Sequence, residues 1–238
     1  MKQPIYLALD FPTWKEAAEF LEAHDLHGVP VKVGMELFYK EGPKVIEQLK
    51  MQNHPIFLDL KLHDIPTTVR RAMRNIAKLG VDIINVHALG GSDMISAAKQ
   101  GLMEGALPGE STKLIAVTVL TSMDETILQQ QLNIQATVDQ TVKQLAYLSK
   151  QSGADGVVCS VHEVPMIKEV CGDDFLTVTP GIRLDDSATN DQKRIATPKL
   201  ARQKGTDAIV IGRSVTQSPD PHQAYNQVIE EWTYVSKA

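Results

Sequence analysis

The chain has few aromatic residues, only two cysteines, no glycine-rich nucleotide loop, no tract of like charge and no apolar run of membrane-spanning length. Aromatics make up 5% of the 238 residues while hydrophobic residues reach 43%. The interior is therefore built from Val, Ile, Leu and Ala, the composition that parallel strands covered by helices require. Cys159 and Cys171 lie outside any Cys-x-x-Cys pattern, which excludes a disulfide framework and fits a reducing cytoplasm. A net charge of −5 without a Lys/Arg cluster argues against nucleic acid and anionic membranes as partners. Met1-Lys2-Gln3-Pro4 leads straight into a strand-like run without an apolar leader, so a soluble cytoplasmic protein is expected. His24, His27, His54, His63, His87, His162 and His222 are scattered, and no His-x-x-x-His pair occurs. No metal site is expected. No Gly-x-Gly-x-x-Gly follows a strand, and Gly90-Gly91 is too short to serve as a dinucleotide loop. The expected cofactor is none, and the chemistry must rest on side chains.

What is present is alternation. Short β-branched runs recur at Ile5 to Leu9, Val31 to Val33, Ile56 to Leu60, Ile83 to Val86, Leu114 to Val119, Gly156 to Cys159, Leu176 to Val178 and Ala208 to Ile211. Helix-spaced segments separate them, including Trp14 to Ala23, Pro43 to Met51, Ser92 to Glu104, Val138 to Ser152 and Pro221 to Trp232. Gly80, Gly153 and Gly205 sit where helices should stop. Eight such units in a chain of this length predict one α/β domain over residues 1–238, a (β/α)8 TIM barrel with its active site at the C-terminal face of the strands. An open doubly wound sheet is the alternative. The stretch Thr179 to Pro198 is the least regular and reads as a long loop after the seventh strand.

The third strand is unusual in its ending. Pro55-Ile56-Phe57-Leu58 runs directly into Asp59-Leu60-Lys61-Leu62-His63-Asp64, where Gly, Asn or Pro would be commoner. On a regular pleat Asp59 and Lys61 share one face and Leu60 and Leu62 the other. Asp64 precedes Ile65-Pro66, and Pro66 fits the first turn of a helix whose apolar positions are Val69, Met73, Ile76 and Leu79. A solvated surface ion pair is the simpler account of an isolated Asp-x-Lys. The other strand ends weigh against it. They supply Asp10, Lys32, His87, Thr121-Ser122, Arg183 and Gly212-Arg213 in turn. Singly, Asp10 could cap a helix after Pro12, Lys32 could face solvent, and His87 could be a core histidine bonded to backbone. Jointly, two lysines and three aspartates at one barrel mouth imply selection for chemistry or for a charged ligand.

Loops after the seventh and eighth strands of such barrels commonly hold phosphate, so Gly212-Arg213 predicts a phosphorylated substrate, with Gln192 placed to close over it. A Lys among carboxylates stays charged and serves as a proton donor; a desolvated Lys without them would favour a Schiff base. Asp59, Asp64 and Lys32 favour the donor.

Asp59-Leu-Lys61-Leu-His-Asp64-Ile-Pro-Thr-Thr, with Val31-Lys32-Val-Gly, Thr118-Val-Leu-Thr121-Ser, Thr179-Pro-Gly-Ile-Arg183 and Ile211-Gly-Arg213, resembles the orotidine 5′-phosphate decarboxylase family in its bacterial form, over nearly the whole chain. The resemblance implies cofactor-free conversion of orotidine 5′-phosphate to UMP and CO2 in pyrimidine biosynthesis. It further implies that Lys61 protonates C6, with Lys32, Asp59 and Asp64 completing a charged array. Asp10 and Lys32 would hold the ribose hydroxyls, Thr121 or Ser122 the pyrimidine edge, and Gln192, Gly212 and Arg213 the phosphate, with Arg183 nearby. Asp64, Ile65 and Thr68 would reach the site of a partner subunit, which implies a homodimer. Asp-x-Lys-x-x-Asp alone is shared with related sugar-phosphate decarboxylases, and a sugar-phosphate decarboxylase or aldolase that uses Mg²⁺ remains one rival; a non-catalytic phosphate-ligand binder is the other.

Overall fold

The computed structural model describes residues 4–184 and 194–233. Eight parallel strands, β1 (Ile5–Ala8), β2 (Val31–Gly34), β3 (Ile56–Leu62), β4 (Ile83–His87), β5 (Lys113–Val117), β6 (Gly156–Val158), β7 (Leu176–Thr179) and β8 (Ala208–Ile211), close into a barrel in chain order. Pairing of β8 with β1, Ile5 opposite Ile209 and Leu7 opposite Ile211, joins the two edges and excludes the open sheet. Around the barrel lie α1 (Trp14–Ala23), α2 (Met35–Glu41), α3 (Lys44–Met51), α4 (Pro66–Ala77), α5 (Gly91–Gly105), α6 (Val138–Gln151), α7 (Val164–Cys171), α8 (Pro198–Gln203), α9 (Arg213–Thr216) and α10 (Pro221–Thr233).

Strand alternation divides the core in two. Outward residues such as Leu7, Val31, Val33, Leu58, Ile84 and Val157 pack under the helices, while Tyr6, Ala8, Phe57, Ile83, Ile115, Val117, Val158, Val178, Ala208 and Val210 form a separate cluster inside the barrel. Tyr6 and Phe57 meet edge to face there, with centroids 5.8 Å apart. On β2 it is Val31 and Val33 that belong to the outer layer, so Lys32 and Gly34 face inward. Register sets Lys32 level with Ala8 and Phe57, and Gly34 level with Asp59. The apolar plug thus forms a floor, and the charged residues stand on it at the strands' C-terminal ends.

Local signals explain the helix ends. Thr13 caps α1 by accepting from the Glu16 N–H at 3.3 Å, and Thr137 and Gln140 form a reciprocal capping box on α6. Pro66 opens α4, as its fixed φ suits a first helical residue. Gly80, at φ +63, turns the chain after α4. α4 and α5 approach closely: a Cβ at Gly101 or Gly105 would fall onto the backbone carbonyl of Arg70 or Arg74.

Two expectations need correction, and one helix was not foreseen. β5 ends at Val117, not Val119, because β6 is only three residues long and pairs no further than Val117–Val158; Thr121 and Ser122 therefore lie in the following turn. α2, a helix of seven residues between Gly34 and Gly42, is an element that the sequence pattern did not single out. β3 is not a regular pleat. Between Leu58 and Leu62 its partner on β4 advances only from Ile84 to Val86, and Lys61 adopts φ +51. Of the long segment after β7, the described ends are zipped by a bridge of Ile182 with Ala196; Gln192 lies outside the described residues.

Candidate active site

The charged residues of the barrel mouth are joined in a chain of alternating sign. Lys32 Nζ lies 3.0 Å from Asp10 Oδ1 and 3.5 Å from Asp59 Oδ2, and Lys61 Nζ lies 2.7 Å from Asp59 Oδ1. Lys32 and Asp59 are each 9% exposed, whereas Asp10 is open to solvent. Burial disfavours a charge on Lys32, yet Asp10 and Asp59 more than offset it and hold the ammonium above its usual range. Burial likewise opposes ionisation of Asp59, but Lys32, Lys61 and the hydrogen bonds from Lys61 and Asn85 outweigh it and hold the carboxyl below its usual range. Both groups are charged at neutral pH.

The simpler accounts of these residues fail on geometry. Asp10 does not cap α1, since Thr13 does. Lys32 faces the barrel interior. Gly34 and Gly212 keep the surrounding space open: a Cβ at Gly34 would sit 3.1 Å from Lys32 Nζ and 3.3 Å from Asp10 Oδ1, and one at Gly212 would sit 3.4 Å from the Ala8 Cβ. His87 does not follow the core-histidine account either, because its Nδ1 is buried without a hydrogen-bond partner among the described residues. Its ring stands 5.7 Å from that of His63, and burial together with His63 and Lys61 keeps its pKa low, so it is neutral at pH 7.

Asp64 is not part of this chain of charges among the described contacts. It is exposed and accepts from the Ile65 N–H at 2.6 Å. Ile65 is 67% exposed and Thr68 is exposed beside it. Beside Asp10 at the mouth, Gly212 and Arg213 form the turn from β8 into α9 and are partly buried. Arg183 is buried, with Nη1 donating to the Ile182 carbonyl at 2.8 Å. Thr121 is half-buried and Ser122 exposed, which favours Thr121 for an inward role. The loop that carries them is held from behind by Arg194, which pairs with the buried Glu163 and donates to the Leu120 carbonyl at 2.9 Å.

Sequence reasoning missed Asn85. It is fully buried on β4 and bonded to both Asp59 and Lys61. The available signal was an amide inside the run Ile83 to Val86, since a buried carboxamide must find partners.

A site of this kind sets the side chains of Lys32 and Lys61 on either side of one buried carboxylate, Asp59, at the barrel mouth. An ammonium paired with a carboxylate is a group type that can stabilise a developing negative charge or deliver a proton.

Comparison with known proteins places the chain in a wider group. Orotidine 5′-phosphate decarboxylases of Bacillus cytotoxicus and Bacillus mycoides are each 52% identical over 237 residues, covering 99% of this chain and 100% of theirs. The crystal structure of orotidine 5′-phosphate decarboxylase from Lactobacillus acidophilus superposes with a TM-score of 0.88 at 46% identity, covering 98% of this chain and 100% of that one. An uncharacterized conserved protein from Geobacillus kaustophilus matches with a TM-score of 0.86 at 46% identity over 97% of this chain and 100% of its own. A family model matches residues 3–228, and on this match and those full-length relatives the chain belongs to the orotidine 5′-phosphate decarboxylase / HUMPS family.

Proposed function

We propose that the protein decarboxylates orotidine 5′-phosphate to UMP and CO2 in pyrimidine biosynthesis, as a single barrel domain that needs no cofactor. The observation that carries this reading is the Lys61 ammonium, 2.7 Å from Asp59 at the barrel mouth, in line with Lys32 and Asp10. The bond from C6 to the carboxylate breaks, CO2 departs, and the electron pair remains on C6 in the plane of the ring, where no π system takes it up. Fixed charge must stabilise it. The Lys61 ammonium stands at that carbon, lowers the energy of the developing carbanion and passes a proton to it; the amine then regains its proton from water. Asp59 orients Lys61, and its negative charge beside the substrate carboxylate favours departure of CO2.

Asp10 and Lys32 hold the ribose hydroxyls, Thr121 the pyrimidine edge, and Gly212 and Arg213 the phosphate, with Gln192 and Arg183 assisting. Binding energy from the phosphate, remote from the reacting carbon, goes into ordering the charged site. Asp64, Ile65 and Thr68 act across a homodimer interface. In support, Met35, Ile65 and Leu89 are all large, exposed apolar residues on the successive connections after β2, β3 and β4, a pattern suited to a second copy of the chain. No helix of the described residues is long and apolar enough to cross a membrane, in keeping with a cytoplasmic enzyme.

The test is the loss of orotidine 5′-phosphate absorbance in EDTA, with and without Lys61→Ala. Rapid loss in the wild type that falls by on the order of 10³-fold or more in the variant, with UMP binding retained, is expected. Turnover only with added Mg²⁺ and a sugar phosphate, or UMP binding without any turnover, would overturn the reading.

A further inference from the structure

β3 leaves its regular pleat between Leu58 and Leu62. Asp59, Leu60 and Lys61 all stand against one residue of β4, Asn85, because two extra residues are accommodated between Leu58 and Leu62. A bulge displaces backbone groups from the ladder, and each needs another partner. Asn85 supplies it: its Oδ1 accepts from the Lys61 N–H at 2.7 Å. Its Nδ2 donates at 2.6 Å to Asp59 Oδ1, the same oxygen that receives the Lys61 ammonium. The orientation of the carboxamide has one solution. Exchanging its oxygen and nitrogen would set N–H against N–H and oxygen against carboxylate.

Resting on the decarboxylase reading above, we propose that Asn85 is a positioning residue: one carboxamide fixes both the backbone that carries Lys61 and the carboxylate that receives its ammonium, so donor and counter-charge are set as a unit. The physical need is specific. Lys61 is a non-glycine residue in the left-handed region, a conformation that persists only where surrounding structure holds it. Its flexible stem ends in a point charge whose place depends on where Asp59 stands. The groups facing Asp59 are Lys32 from β2, Lys61 from its own strand, and Asn85 and His87 from β4, while Asp10 of β1 reaches it through Lys32. Asn85 is neutral, so it orients the carboxylate without altering the charge balance of the array.

Two substitutions separate these roles. Asn85→Ala removes both bonds and is expected to lower kcat about 100-fold, the scale of a small misplacement of a catalytic group, with KM and the Kd of UMP within about threefold. Asn85→Asp keeps an acceptor for the Lys61 N–H at unchanged size but sets a second carboxylate against Asp59. Two carboxylates in one site drive one pKa upward, so the acidic limb of the kcat profile should move up by about a pH unit or more. Carbon NMR of the Asp59 carboxyl should move with it. That titration needs no turnover, so it tests the clamp even if the wild type fails to decarboxylate, a result that would overturn the functional reading instead. Wild-type kcat per folded molecule in Asn85→Ala, with only the melting temperature lowered, would make Asn85 a packing residue. An unmoved Asp59 titration in Asn85→Asp would likewise sink the proposal.

Discussion

Lys32 sits between two carboxylates, and its environment sets the pH range over which the array survives. The folded-state pKa of Asp59 is depressed, so its contribution to stability is present above the unfolded carboxylate value of about 3.9 and is lost as pH falls through the lower, folded value. The folded-state pKa of Lys32 is raised, so its contribution is present below about 10.4 and is lost as pH rises through a still higher value. Neither group titrates between about pH 5 and pH 9. A kcat profile should therefore show no limb from them in that window, and a limb found there should persist unchanged in Asp10→Asn. Lys32→Met leaves Asp59 buried with one counter-charge removed, a change that costs about 3 kcal/mol or more where a buried pair is broken. Urea denaturation of the two proteins at pH 7 measures it. Arg213→Ala should instead lower kcat/KM roughly 100-fold, with KM raised and kcat reduced in the measure that the phosphate contact orders the charged site, if one charge-assisted phosphate contact of about 3 kcal/mol is lost. Steady-state kinetics separates the two constants. At this scale Asp10, Lys32, Asp59 and Lys61 were legible because charge at the end of an apolar strand has few structural uses. Asn85 was not, because an uncharged amide within an apolar run leaves no mark in charge or periodicity.

Elements were legible where pattern and punctuation agree. All eight strands lie where β-branched runs predict them, and α1, α3, α4, α5, α6 and α10 follow their 3.6-residue spacing within a few residues. α2 escaped because its seven residues are bracketed by Gly34 and Gly42, which together read as a loop. The bulge in β3 escaped for a different reason: Asp59-Leu60-Lys61-Leu62 alternates as a regular strand would, and the extra residues show only against β4. The i, i+2 argument nevertheless brought the right pair together, since Lys61 Nζ does reach Asp59. The contact of α4 with α5 gives a test at this level. Gly101 faces the Arg70 carbonyl where no Cβ fits, so Gly101→Val forces two backbones apart and should cost about 2–3 kcal/mol, as overpacking does. Met103→Ala, on the exposed side of the same helix, should stay within about 0.5 kcal/mol. Thermal melts of the pair decide it; equal melting temperatures would mean that the two helices are not packed backbone to backbone.

For the whole molecule, closure of the sheet by β1 and β8 is what brings Asp10, Lys32, Asp59 and Gly212, from four separate strand ends, around one opening. Asp64 stands apart from that opening in its own chain, bonded to the Ile65 N–H and exposed. If it serves a neighbouring site in a two-fold dimer, each site takes Lys61 from one subunit and Asp64 from the other. Lys61→Ala and Asp64→Ala should then each be inactive alone. Mixed and allowed to exchange subunits, they should form mixed dimers as about half of all molecules, each with one site bearing both substitutions and one bearing neither. Activity should rise from near zero to about one quarter of the wild type and appear at the rate of subunit exchange. If Asp64 acted within its own chain, every site in the mixture would carry one substitution and no activity would return. Sedimentation of the mixture at the assay concentration excludes the other trivial cause of silence, failure of the two variants to associate.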